Sequence, residues 1–175
     1  MAALYLIKSI EYAYTEFKKR KLGPRKVTIP PNISLEFSAL TLGIIGCGSI
    51  GQEVARQAGI FRTRILYHNR SRLPGDLEES LGLEYASFNE ILSSSDVLSI
   101  NVPLTDETKG MIGVDEITLM KKGAVLINTA RGGIVDEKAL ADAIKRGHLR
   151  GAAVDVFENE PDISGCPLIG LKTSY

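Results

Sequence analysis

Three glycines at Gly46, Gly48 and Gly51 form a G-x-G-x-x-G triplet, and an arginine followed by two glycines stands far downstream at Arg131. Each residue type has a chemical use. Glycines at this spacing let a backbone approach phosphate, and a lone arginine can hold an anion. The run Thr41 to Ile45 leads into the triplet, and Gln52 to Gly59 follows it with helical spacing: Val54, Ala55 and Ala58 are apolar, Glu53, Arg56 and Gln57 polar. Strand, glycine turn and helix together are what a dinucleotide pyrophosphate requires. Gly46 permits the turn, Gly48 admits the phosphates, and Gly51 lets the helix pack closely on the strand. The helix N-terminus then offers N–H groups to the anion.

The adenosine ribose of such a ligand meets the end of the second strand, about 20 residues further on. An acid there would select NAD by bonding the 2′-hydroxyl. Asn69, Arg70, Ser71 and Arg72 stand there instead, with no acid from His68 to Pro74. Guanidinium and hydroxyl donors favour a 2′-phosphate, so the expected cofactor is NADP, with NAD as the alternative. The competing reading has Arg70 and Arg72 as solvated loop charges. Arg131 lies in Asn128-Thr129-Ala130-Arg131-Gly132-Gly133, at the carboxyl end of the fifth strand. Ligands bind beyond such ends. It either holds an anionic substrate or is a turn residue with its charge in water. Asp155 ends the sixth strand near the same crevice, and Glu160 follows; a carboxylate near Arg131 could orient a catalytic histidine and raise its pKa.

Elements that would position these residues can be read along the chain. Strands are expected at Arg62 to His68, Leu83 to Ala86, Asp96 to Ile100, Ala124 to Asn128 and Ala152 to Val156. Between them lie helical segments at Asp76 to Leu81, Phe88 to Ser94, Val114 to Met120 and from Asp136 through Ile144. Ser87 with Glu90 reads as a capping box. The fifth strand is almost wholly apolar, as in a parallel sheet covered on both faces. The expected fold class is α/β, a doubly wound parallel sheet of Rossmann type in a single nucleotide-binding domain. Residues 2–21 read as an amphipathic helix, with Leu6, Ile10, Ala13 and Phe17 on one stripe. It either packs on the core or docks on another domain or subunit. Val27 to Ser38 reads as an extended connection. The divisions are 1–38 for helix and connection, 39–160 for the dinucleotide domain and 161–175 for a truncated tail.

Composition excludes several classes. Twenty-one basic and twenty-one acidic residues cancel, so no global field points to nucleic acid or a membrane as partner. Cys47 and Cys166 form neither a disulfide framework nor a metal-ligand spacing, which fits a reducing, cytoplasmic setting. Cys47 reads as a small buried side chain. No metal is expected.

The glycine triplet, Val102-Pro103-Leu104-Thr105-Asp106-Glu107-Thr108, Asn128-Thr129-Ala130-Arg131-Gly132, Val135-Asp136 and Asp155-Val156-Phe157-Glu158-Asn159-Glu160-Pro161 stand in the order of one family. From about residue 2 to residue 167 the chain resembles the D-isomer-specific 2-hydroxyacid dehydrogenases. The Tyr67 to Leu73 segment is most similar to their glyoxylate/hydroxypyruvate reductase-like members. The resemblance implies that Arg131 binds the substrate carboxylate and keto oxygen and that Glu160 pairs with the catalytic histidine. It implies backbone contacts to pyrophosphate from Ser49 and Ile50, and an adenosine wall from Pro103, Leu104 and Thr108. Thr129, Ala130 and Asp155 would face the nicotinamide end. The implied activity is reduction of a small 2-keto acid, and the implied assembly a homodimer. Two departures stand against it. The family's substrate domain precedes the first helix, and its acid–base histidine lies in a Pro-His motif; here Cys166-Pro167-Leu168-Ile169-Gly170 occupies that region. His68 and His148 match neither motif nor place. The alternative is a non-catalytic NAD(P)-binding module or interaction protein.

Overall fold

The computed structural model describes Ala3 and residues 36–171. The helix expected over 2–21 lies outside the described residues, as does the connection from Val27 as far as residue 35. The connection does not stay extended to Ser38. A 3-10 turn at Phe37–Ala39 closes it, because Phe37 buries its ring edge-on against Phe61, with centroids 5.3 Å apart.

The chain then alternates strand and helix. β1 (Thr41–Ile45), α1 (Ser49–Gly59), β2 (Arg64–His68), α2 (Gly75–Leu81), β3 (Leu83–Tyr85) and α3 (Phe88–Ser94) form one half. β4 (Val97–Ile100), α4 (Val114–Leu119), β5 (Val125–Asn128), α5 (Glu137–Lys145) and β6 (Gly151–Val154) form the other. All six strands are parallel in the order β3-β2-β1-β4-β5-β6. This is the Rossmann order, and it reverses between β1 and β4.

Side-chain alternation explains the two covered faces. Leu42 and Ile44 of β1, Ile65 and Tyr67 of β2 and Val97 of β4 pack with Ala55 and Ala58 of α1. Leu66, Leu98, Ile100 and Leu126 point the other way, onto Ile91 of α3, Ile117 of α4 and Leu140 and Ile144 of α5. Every residue of β4 is buried, as a two-faced parallel strand requires. Both bonds of the Ser87–Glu90 capping box are present. Asp136 caps α5 by accepting the Ala139 N–H at 2.9 Å.

Strand boundaries shift by one or two residues; β3 ends at Tyr85, β4 begins at Val97, β5 at Val125 and β6 at Gly151, and two shifts bear on the site. β2 begins at Arg64 and not Arg62, since Arg62 takes φ +56° in the turn after α1, while the Thr63 hydroxyl donates to the Leu40 carbonyl. β6 stops at Val154, so Asp155 is past the strand. The stretch after Glu160 packs on the same core through Leu168 and Leu171. Glu137 ties it down, accepting the Glu158 N–H at 2.8 Å and the Cys166 thiol at 3.1 Å.

A second buried acid secures the loop after β2. Glu78 of α2 receives Arg72 through Nε at 2.9 Å and Nη2 at 2.8 Å, and also the Tyr67 hydroxyl. Tyr67 in turn accepts the Leu73 N–H at 2.8 Å, and Arg72 lies 5.8 Å from the centre of the Tyr85 ring. Arg72 and then Tyr67 hold the Glu78 carboxyl down at about 2, below the usual 4.5. Burial, followed by the Glu78 bond, pushes Tyr67 up to about 12. A carboxylate with a depressed folded pKa stabilises the fold above its unfolded value and loses that contribution as pH falls through the folded one. Stability should therefore drain between pH 4.5 and about 2. In Glu78→Gln this acid-sensitive part should be absent, so urea midpoints of the two proteins should converge on acidification. A constant gap between neutral pH and pH ~3 would show that the carboxylate charge is not what the network holds.

Candidate functional site

The carboxyl ends of β1 and β4 diverge at the strand-order reversal and leave a cleft of about 440 Å³. Its floor is Ile45, Gly46 and Gly48; one wall is His68 to Ser71 after β2 and the other runs from Asn101 to Met111 after β4.

The three glycines do three different things. Gly46 has φ +89° and donates its N–H to the His68 carbonyl at 3.0 Å; a Cβ there would lie 2.7 Å from the Asn101 carbonyl oxygen. A Cβ on Gly51 would lie 2.4 Å from the Gly46 carbonyl oxygen, so α1 touches the turn backbone. A Cβ on Gly48 would meet nothing within 4 Å. Gly48 is thus the open side of the turn, at the start of α1, where no side chain caps the helix. Uncapped first-turn N–H groups and open space beside them suit a pyrophosphate. Ser49 and Ile50 occupy that first turn, both exposed, Ile50 at 70%. Cys47 points inward, fully buried, and burial pushes its thiol up to about 11.

The residues expected at the ribose divide into separate roles. Arg70 and Ser71 are exposed at the cleft. Asn69 lines it too, but its side-chain oxygen accepts the Cys47 N–H at 2.6 Å and so braces the glycine turn. Arg72 is not brought to the cleft. Its guanidinium is bidentate on Glu78, an acid of α2 beyond Pro74. His68 donates through Nδ1 to the Ala86 carbonyl, 2.9 Å away, and its ring sits 5.6 Å from Phe88.

On the opposite wall Pro103 and Thr108 line the cleft, while Leu104 turns toward Gly133. The Thr108 hydroxyl donates to the Pro103 carbonyl at 2.6 Å and accepts the Thr105 N–H at 2.8 Å, which knots the loop.

Beyond β5, Asn128 organises the turn that carries Arg131. It is 2% exposed; its Oδ1 accepts the Ala130 N–H at 3.1 Å and its Nδ2 donates to the Arg131 carbonyl at 3.0 Å. The first bond is an Asx-type turn, a signal available in an Asn at a strand end. Thr129 is exposed and Ala130 half-buried. The Arg131 guanidinium is also exposed and donates to the Ala130 carbonyl at 2.7 Å. A Cβ on Gly132 would fall 2.0 Å from the Phe157 carbonyl oxygen, so the Arg131 turn and the Asp155 to Glu160 segment are in backbone contact. Asp155 is exposed and donates its N–H to the Asn128 carbonyl. Glu160 closes its own turn by accepting the Phe157 N–H at 2.7 Å. His148 donates through Nε2 to the Ile117 carbonyl, 2.9 Å away, and precedes β6, whereas these loops follow their strands. Among the described residues no helix is long and apolar enough to cross a membrane.

Comparison with known proteins agrees with this fold. The family model described as D-isomer specific 2-hydroxyacid dehydrogenase, NAD binding domain, matches residues 1–174. A glyoxylate reductase of Aeropyrum pernix is 49% identical over 140 residues, which is 80% of this chain and 42% of that protein. The crystal structure of a glyoxylate reductase from Paecilomyes thermophila has a TM-score of 0.81 at 38% identity, covering 97% of this chain and 49% of that one. The crystal structure of D-lactate dehydrogenase from Aquifex aeolicus, complexed with NAD and lactic acid, has a TM-score of 0.83 at 38% identity, covering 98% and 50%. The chain spans half or less of the length of these relatives. Sheet order, glycine turn and the match over residues 1–174 together make this chain a member of the D-isomer specific 2-hydroxyacid dehydrogenase family, corresponding to its NAD binding domain.

Proposed function

We propose that this chain is the cofactor-holding part of a reductase that converts a small 2-keto acid, glyoxylate or hydroxypyruvate, into the D-2-hydroxy acid, with NADPH preferred over NADH. The observation that carries this is the contact between the Arg131 turn and the Glu160 segment beside an open glycine cleft. When bound, the dinucleotide supplies a hydride. Gly48 and the first turn of α1 hold its pyrophosphate through Ser49 and Ile50, with Gly51 keeping the helix close. Pro103 and Thr108 border the adenosine, and Thr129, Ala130 and Asp155 border the nicotinamide. Arg131 binds the substrate carboxylate and steadies the negative charge that grows on the keto oxygen. Glu160 orients an acid–base histidine.

That histidine is neither His68 nor His148, since both bind backbone carbonyls elsewhere. A proton donor of this kind contributes about 10²–10⁴-fold. The same observation favours a second reading for these 175 residues by themselves, a dinucleotide-binding module without turnover. Assaying glyoxylate and hydroxypyruvate reduction beside nucleotide titration separates the two. Binding without turnover supports the module, turnover at ordinary dehydrogenase rates supports the reductase, and no binding of either nucleotide defeats both.

Arg70 and Ser71 at the cleft support the NADPH preference, and Arg72 supports it only by stiffening their loop through Glu78. Reversing the charge in Arg70→Glu should weaken NADPH binding by about 10–100-fold, the worth of a charge-assisted bond, and leave NADH nearly untouched. A variant that still prefers NADPH in a fluorescence titration would remove the assignment. Free Cys47 and Cys166 support a cytoplasmic setting. Exposed Ile60 and Phe61 support a homodimer, which sedimentation of the purified chain as a monomer would exclude.

A further inference from the structure

Arg70 does not face an empty cleft. The loop after β4 places Glu107 on the wall opposite Arg70 and Ser71, with the glycine turn between them. Glu107 is fixed there, because its Oε2 accepts the Thr105 hydroxyl at 2.7 Å, and Thr105 is itself held by Thr108. The knot of hydroxyls therefore fixes a carboxylate as well as shaping a wall. The Thr105 bond, the backbone N–H of Glu107 itself and the charge of Arg70 together keep this carboxyl below the usual carboxylate range. The acid is ionised at neutral pH and feels Arg70.

We infer that Glu107 sets how strongly this cleft discriminates between the two dinucleotides, by competing with a 2′-phosphate for Arg70. The inference rests on the assignment of Arg70 to the 2′ position. A 2′-phosphate arriving between the two walls gains Arg70 and Ser71 as donors but brings its charge toward a fixed carboxylate. A 2′-hydroxyl brings no charge and leaves the Arg70–Glu107 attraction intact. Discrimination is thus divided between two strand ends: one supplies the attraction and the other limits it. Because both groups are exposed, the competition is screened by salt.

The variant Glu107→Gln keeps an acceptor for Thr105 and removes only the charge. Titrating the purified chain with NADPH and with NADH, Glu107→Gln should bind NADPH about three- to tenfold more tightly at low ionic strength, as expected for one charge in partly solvated surroundings, and NADH within about twofold of the parent. The gain should shrink at ~1 M salt and vanish when Arg70→Gln is combined with it, a coupling that independent sites would not show. Unchanged or weaker NADPH binding in Glu107→Gln would overturn the inference, and the NADPH preference of the parent would survive that result. Conversely, a parent that prefers NADH while Glu107→Gln moves toward NADPH removes the proposed preference and upholds the role of Glu107.

Discussion

Gly46→Ala is expected to lower stability by about 3–5 kcal/mol and to weaken dinucleotide binding at least tenfold. Two penalties combine at this residue. Its φ of +89° lies where a side chain is strained whatever the space, and the new Cβ would stand 2.7 Å from the Asn101 carbonyl oxygen and from Val102 Cγ1. Neither neighbour is a flexible side-chain end, so the turn must move away from β4. That movement would break the Gly46–His68 bond and displace the start of α1, where a pyrophosphate would sit. Thermal melting should show a fall of roughly 10 °C, at a few degrees per kcal/mol for a chain of this size. Gly48→Ala is the internal control, since its Cβ enters open space. It should fold like the parent and lose binding alone. Equal melting temperatures for Gly46→Ala and the parent would show that the turn has slack this geometry does not contain.

The second large effect lies on the other side of the crevice. Gly132→Ala would drive a Cβ to 2.0 Å from the Phe157 carbonyl oxygen and 2.2 Å from its carbon. Both partners are backbone, so the Arg131 turn and the Glu160 segment must part by an ångström or more. Misplacement on that scale is worth on the order of 10²-fold in turnover where two groups act on one substrate. In the reductase, kcat/KM for glyoxylate should fall by about that factor while NADPH affinity stays within about twofold. Loss of nucleotide binding in parallel with turnover would mean that the two loops do not form a separable catalytic end. The pair of glycine substitutions thus dissects the crevice, one striking the cofactor end and the other the substrate end.

Local sequence patterns carried much of this structure. The apolar run of β5, the Ser87–Glu90 capping box and the Asp136 cap depend on neighbours within a few residues, and spacing alone shows them. The glycine triplet belongs to the same class, although its three distinct jobs become visible only against Asn101 and the packed helix. What spacing did not show was each side chain's choice of partner. Arg72 read as a phosphate ligand because no acid lies from His68 to Pro74, yet Glu78 reaches back from α2 to take it. Asn69 is expected at the ribose and lines the cleft, and its carboxamide oxygen also braces the glycine turn, a second task that spacing does not show. Glu107 stands in a motif with no assigned task, because its place opposite Arg70 exists only once the fold brings the two strand ends side by side; Asn128 bonds residues two and three further on, a local turn that its position at a strand end allows. Asp155 was placed at a strand end that falls one residue earlier. For Asn69 and Glu107 the missing information was the pairing of segments distant in sequence, and for Arg72 it was the direction of a side chain across one turn.

The strand order has a consequence in time. β1 pairs with β2, which follows it closely, and with β4, which is synthesised only after two further helices and a strand. The crevice lies between β1 and β4, so it cannot exist until that distant pairing has closed, and non-local closures of this kind are slow steps in folding. A dinucleotide can therefore recognise only a chain that has completed its longest wait. Bound ligand then acts on the unfolding side, holding shut the junction between the paired strands most distant in sequence and lengthening the life of the folded chain in proportion to cofactor supply.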